Sequence, residues 1–188
     1  MFKAYRDGPL SVRPPEEISY GIGKSALGPI LIACGDKGIV TIMIRPKAAD
    51  LVRDIQARFP KAILTRDENG SKAAVAKAIK YVAAPVGRFD LPLDIRGTPF
   101  QVSVWREVRK IPFGETSTYS TIAEAIGAPK AVRAVGSTCT HNWWAFAVPC
   151  HRVLHKGAPS PELRNRPGSI QYRWVDYEVK LVAKRTRG

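Results

Sequence analysis

The sequence is poor in acid, in sulfur and in long apolar runs, and each shortage excludes something. Asp and Glu number only 16 against 30 Lys and Arg in 188 residues, a formal charge of +14 at pH 7. An excess of that size does not suit a generic soluble enzyme and makes a polyanionic partner the leading idea, the alternative being a solubilising surface charge or an unusually basic host proteome. The three cysteines, Cys34, Cys139 and Cys150, are an odd and widely spaced set, which argues against a disulfide framework and against a four-thiolate zinc site. No metal and no cofactor is expected, and a cysteine with a role here is a reactive one. No apolar run approaches the roughly 18 residues of a membrane span, and the opening MFKAYRDGPLSVRPPEE carries no apolar signal region. The expectation is a cytoplasmic, monomeric protein with no membrane partner. Disorder is excluded as the main theme, because 45% of the residues are hydrophobic and only 24% charged.

What is present divides near residue 96. In the first part, ILIAC (30–34) and IVTIMI (39–44) are short β-rich runs around Gly35-Asp36-Lys37-Gly38, a hairpin. Leu51, Val52, Ile55 and Phe59 recur at helical spacing, as do Val75, Ile79 and Val82 before Pro85. Phe89, Leu91, Leu93 and Ile95 alternate as in a half-buried strand, which Pro92 demotes to an edge. Residues 1–95 thus read as a small α/β supporting domain, with no catalytic motif.

Residues 96–188 hold 15 basic and 6 acidic residues, so the basic bias is stronger there. Thr98 can cap a helix with Pro99 at its first position, and Ile111-Pro112-Phe113-Gly114 ends it. Ser117 or Thr118 can cap a short helix through Ile126, Gly127-Ala128-Pro129 makes a turn, and Lys130 to about Thr138 makes a second helix, with Lys130 and Arg133 on it. The spacing is that of a helix-turn-helix, a pattern also common in proteins that never touch DNA; the local positive charge favours DNA.

The sharpest signal is NWWAFAVPCHRV (142–153). Pro149 fixes the backbone before Cys150, and His151 and Arg152 follow it directly. A thiol with an ordinary pKa near 8.5 is only a few per cent thiolate at neutral pH, and an adjacent base or cation raises that share. The alternative is that Cys150 is a buried, inert hydrophobe and that its neighbour in sequence does not face it. Trp143-Trp144 could stack on bases, although packing in a core is the commoner role of Trp.

The run from FQVSVWREVRKIPFGETSTYS through KAVRAVGSTCTHNWWAFAVPCHRV, with RGTPF before it and YRW after it, resembles the O6-alkylguanine-DNA alkyltransferases, also called methylated-DNA–protein-cysteine methyltransferases. Within them it is most like the C-terminal half of the bacterial adaptive-response protein Ada. The likeness is weak before residue 90 and strong from Leu91 to Val153. It implies a ribonuclease H-like N-terminal domain, a small antiparallel sheet with helices, and an all-α winged-helix-like or helix-turn-helix domain over 96–188. It also implies a repair protein that binds duplex DNA containing O6-alkylguanine, flips the base and takes the alkyl group irreversibly onto Cys150. Flipping is required because the alkylated oxygen lies inside the stack. On this resemblance His151 polarises Cys150 through a water and Asn142 is a hinge. Arg133 fills the gap left by the flipped base, Tyr119 presses on the 3′ phosphate and Tyr172 lies by the lesion. Lys130, Ser137 and Arg152 join the DNA-binding set.

The sequence departs from the family pattern in two places. Tyr172 stands 22 residues after Cys150, where roughly thirteen is usual, so the loop over 154–171 is enlarged. The family glutamate that orients the histidine falls on Thr186 or Arg187, and the glycine after YRW is replaced by Val175. Asp176 or Glu178 could substitute only if the C-terminal helix were rebuilt. Without a carboxylate the alternative is a binding module that recognises alkylated guanine and flags it with weak or no transfer.

Overall fold

The computed structural model describes residues 16–85, 87–157 and 170–185, with side chains of the last segment described over 174–183. The chain divides inside one helix, between Val102 and Ser103, into two compact units; Trp143–Ala145 belong to the first.

The first unit is built on strands β1 (Glu17–Ser25), β2 (Gly28–Gly35), β3 (Gly38–Ile44) and β4 (Ile63–Arg66), in sheet order β3-β2-β1-β4. The predicted hairpin is β2 and β3, paired antiparallel. The sheet is mixed rather than antiparallel, because β4 pairs parallel with β1. Helix α1 (Ala48–Arg58) returns the chain from β3 to the far side of the sheet, so that β4 runs in the direction of β1. Leu51, Ile55 and Phe59 enter one apolar core with Ile18, Tyr20, Leu31, Val40 and Met43.

Helix α2 (Glu68–Ala83) starts where Asp67 accepts a hydrogen bond from the Gly70 amide at 2.8 Å. It lies so close to β1 that a Cβ on Gly21 would sit 1.9 Å from Ser71 Oγ, and one on Gly23 would sit 2.6 Å from Val75 Cγ1. The glycines that make β1 a poor strand by propensity are what admit the helix. The strand expected over Phe89–Ile95 reduces to one isolated bridge between Leu93 and Ile39. Ile39 N donates to Pro92 O and Asp94 N to Ile39 O, both at 2.9 Å. Pro92 has no N–H to extend the ladder.

The second unit is mainly helical but not all-α: β5 (Ser117–Thr118) and β6 (Val153–Leu154) pair in parallel. Four of the six α-helices among the described residues lie wholly or partly here: α3 (Pro99–Val108), α4 (Tyr119–Ala125), α5 (Val132–Thr140) and α6 (Ile170–Arg185). α3 opens on a reciprocal cap, in which the Gln101 amide donates to Thr98 Oγ1 and the Thr98 amide donates to Gln101 Oε1. α4 is capped by Thr118 Oγ1, which accepts from the Thr121 amide at 3.1 Å. It closes with Ala128 N donating to Ala123 O and Gly127 N to Glu124 O, with Gly127 at φ 72°. That left-handed residue is why a glycine ends the helix. No helix among the described residues is long and apolar enough to cross a membrane.

Candidate active site and nucleic-acid interface

All three cysteines are buried, Cys34 at 7%, Cys139 at 4% and Cys150 at 4% exposure, so burial does not distinguish them. Their neighbours do. Cys34 sits at an irregular step of β2, and burial pushes its thiol up to about 11, which makes it a poor nucleophile. Cys139 lies on the buried side of α5 with Val135 and Thr138.

Cys150 opens a one-turn 3-10 helix, Cys150–Arg152. Its amide donates to Val148 O at 2.7 Å, and Asn142 Nδ2 donates to the same carbonyl at 2.6 Å. Asn142 thus ties the end of α5 to the residue two before the thiol. On the far side of the turn, Arg152 N donates to Pro149 O at 2.9 Å and Val153 continues into β6.

The two residues after the thiol converge on one carboxylate. His151 Nε2 stands 2.9 Å from Glu178 Oε1. Arg152 grips Glu178 with Nη2 on Oε1 at 2.8 Å and Nε on Oε2 at 3.0 Å. His151, Arg152 and Glu178 are at most 7% exposed. Burial by itself would raise the Glu178 pKa, but the charge and hydrogen bond of His151 and the bonds of Arg152 outweigh it and hold the carboxyl down at about 2. An ionised carboxylate only accepts, so His151 donates through Nε2 and presents Nδ1 on the other side of its ring. Trp174 stacks on the imidazole, with centroids 5.8 Å apart and planes at 24°.

The missing carboxylate is therefore not missing. Thr186 and Arg187 lie outside the described residues, and Glu178 takes the place beside His151. α6 starts at Ile170 and runs unbroken through Val175, the position of the family's glycine. Trp174 and Glu178, four residues apart on that helix, then share the face that meets His151. The sequence signal was available in the absence of Gly and Pro from Ile170 to Arg185.

Arg152, expected on DNA, is a second correction. Its guanidinium is buried, bonded to Glu178, donating Nη1 to Ile111 O at 2.9 Å and lying over the Phe113 ring. It has no face left for a phosphate. Trp144 is a core residue and Trp143 packs half-buried against the core, the commoner role of Trp. Trp144 is 1% exposed and donates Nε1 to Ile39 O, while Trp143 meets Phe59 edge-on with Arg58 over its ring.

The helix pair presents exposed cations. Arg133 and Ser137 are exposed and one turn apart on α5, opposite Val135, Thr138 and Cys139. Lys130 is also exposed but precedes the helix: Ala131 N donates to Ala128 O, and this turn around Pro129-Lys130 delays the helix to Val132. Among the described residues neither Lys130 nor Arg133 has an ion-pair partner. The Tyr119 body is buried at the start of α4. Tyr172 lies in α6, with its side chain outside the described residues, as is most of the 154–171 loop.

Fold and site together define a class: a small mixed α/β unit, and a mainly helical unit that buries one His-flanked thiol and exposes cations on a helix pair. A family model described as the DNA binding domain of 6-O-methylguanine DNA methyltransferase matches residues 99–169. The methylated-DNA–protein-cysteine methyltransferase of Methanosarcina barkeri is 37% identical over 135 residues, 72% of this chain and 81% of that protein. The bifunctional transcriptional activator and DNA repair enzyme Ada of Escherichia coli is 40% identical over 141 residues, 73% of this chain but only 39% of that protein. This chain thus spans well under two thirds of the length of some curated relatives. Among solved structures, Mycobacterium tuberculosis OGT in complex with DNA superposes with a TM-score of 0.66 at 33% identity, covering 85% of this chain and 92% of that one. The chain belongs to the 6-O-methylguanine DNA methyltransferase family.

Proposed function

We propose that this protein repairs duplex DNA by flipping O6-alkylguanine from the stack and moving its alkyl group to Cys150, once per molecule. The observation that carries the reading is the Cys150-His151-Arg152 turn, whose His and Arg share the buried Glu178, in the unit that also exposes Lys130 and Arg133. The relatives named for this activity, and the one solved on DNA, support it.

The chemistry balances without a cofactor. Cys150 gives its proton, through a water, to Nδ1 of His151, and the resulting imidazolium faces the Glu178 carboxylate. The thiolate attacks the alkyl carbon in line, an S–C bond forms, and the C–O6 bond breaks with its electron pair on guanine. Guanine takes up one proton, matching the one the thiol gave. The thioether has no route back to a thiol, so the reaction is stoichiometric.

The remaining roles follow. Arg133 fills the gap in the stack, Lys130 and Ser137 hold the backbone, Tyr119 presses on the 3′ phosphate, Asn142 is the hinge, and Tyr172 lies by the lesion. Residues 1–95 are a ribonuclease H-like support, and 96–188 the helix-turn-helix and acceptor domain. The protein works as a cytoplasmic monomer. A binding module without transfer was attractive only while His151 lacked a carboxylate, and Glu178 removes that reason. The test is intact mass after incubation with O6-methylguanine duplex. One methyl group per protein, on Cys150, is expected; no gain, or many turnovers per protein, overturns the reading.

A further inference from the structure

The β5–β6 pair does more than join two segments. Its parallel register matches Ser117 with Val153 and Thr118 with Leu154. The residue that follows each strand is Tyr119 after β5 and His155 after β6, and their rings meet edge to face, with centroids 5.0 Å apart and planes at 68°. Tyr119 is 6% exposed, and on the α5 side it faces Gly136, where an added Cβ would be in ordinary contact with the ring at 3.7 Å. The backbone of His155 is set from both sides. β6 precedes it, and a turn follows at once through Lys156 and Gly157, with Gly157 at φ 81°. The imidazole is exposed and has no described role in the acceptor site.

We propose that His155 is a positioning residue for Tyr119: its ring edge fixes the phenol against tilting, so that the tyrosine meets the phosphate beside the flipped nucleotide at one orientation. The inference rests on the role proposed above for Tyr119. Because His155 lies five residues after Cys150 on the same run of chain, it also sets that orientation relative to the acceptor turn through β6. An edge-to-face ring pair contributes little, so loss of the contact translates to about a two- to tenfold effect. Rotation of the nucleotide is where the effect falls, and an unattached base does not need it.

The experiment compares single-turnover transfer from O6-methylguanine duplex with transfer from free O6-benzylguanine, using the full chain and the variants His155→Leu, His155→Phe and Tyr119→Phe. For His155→Leu the ratio of duplex to free-base rate should drop about two- to tenfold, in the saturating rate constant and not in the DNA concentration at half-saturation. His155→Phe, which keeps a ring and loses the nitrogens, should restore it. A wild-type ratio in His155→Leu overturns the inference, as does a proportional loss on both substrates, which marks a general packing role. If Phe fails to rescue and half-saturation rises with a flatter salt dependence, His155 is a cation on the backbone, and the inference is again overturned. Tyr119→Phe separates the two layers. If removing that hydroxyl leaves the ratio unchanged, the role of Tyr119 fails and this inference falls with it; if the ratio drops while both His155 variants match wild type, only this inference fails.

Discussion

At the scale of single residues, Glu178 decides most. It is ionised, buried and shared by two side chains, so replacing it by the isosteric Gln leaves Arg152 as a buried cation without its counter-charge. Removing one partner of a buried pair costs about 3–5 kcal/mol, and Glu178→Gln should destabilise the chain by that order in denaturant unfolding at pH 7. The pH dependence has a definite sign. The folded carboxyl titrates at about 2, below its unfolded value of about 4.3. Its contribution is therefore fully present above the unfolded value and is lost as pH falls toward 2. The stability gap between wild type and Glu178→Gln should narrow across that window; a gap constant from pH 6 to pH 2 would show that Glu178 is not held ionised. The same variant loses the group that sets the His151 tautomer, and transfer should slow by at least about tenfold at pH 7. The other two thiols carry a complementary expectation. Cys34→Ala and Cys139→Ala should each still take up one alkyl group per chain, measured by peptide mapping, because neither has the His–Glu–Arg surroundings of Cys150.

At the scale of elements, the α4–turn–α5 segment was legible because its signals are local. Thr118 caps, Gly127 supplies the left-handed closure, and Pro129 starts the next turn, each acting within a few residues of itself. Thr118→Ala should cost about 1 kcal/mol, read from the midpoint of thermal or denaturant unfolding. On the proposed function, the exposed Arg133 of α5 serves DNA and not the fold. Arg133→Ala should leave the unfolding midpoint within about 0.5 kcal/mol of wild type and lower the ratio of duplex to free-base transfer. Equal losses on both substrates would contradict its place in the stack. Strands β1 and β4 were illegible for the opposite reason. β1 carries Gly21 and Gly23 for the sake of α2, and β4 is a four-residue edge whose partner lies more than forty residues earlier in the chain.

At the scale of the whole molecule, the charge of +14 acts on encounter and retention more than on folding. Binding to undamaged duplex should weaken linearly in log salt, because each phosphate neutralised releases condensed counterions. Arg133→Ala should flatten that slope by about one unit, measured by fluorescence anisotropy over a salt series. Arg152→Gln is expected to leave the slope unchanged and to lower stability instead, since its charge is spent on Glu178 inside the protein. A flatter slope in Arg152→Gln would return that residue to the interface.

By itself, the sequence determined what depends on neighbours along the chain: the β2–β3 hairpin, the capped helices, the two-helix turn, and the thiol with its His and Arg in PCHR. Only the tertiary structure decided which carboxylate meets His151 and whether Arg152 faces DNA or Glu178. Both answers hang on the start and phase of α6, about twenty residues beyond the thiol. The periodicity of a helix tells which residues share a face, but not what that face packs against. A contact between residues 151 and 178 exists only in the folded chain, and what selects it, the cost of burying either charge without the other, belongs to the folded interior.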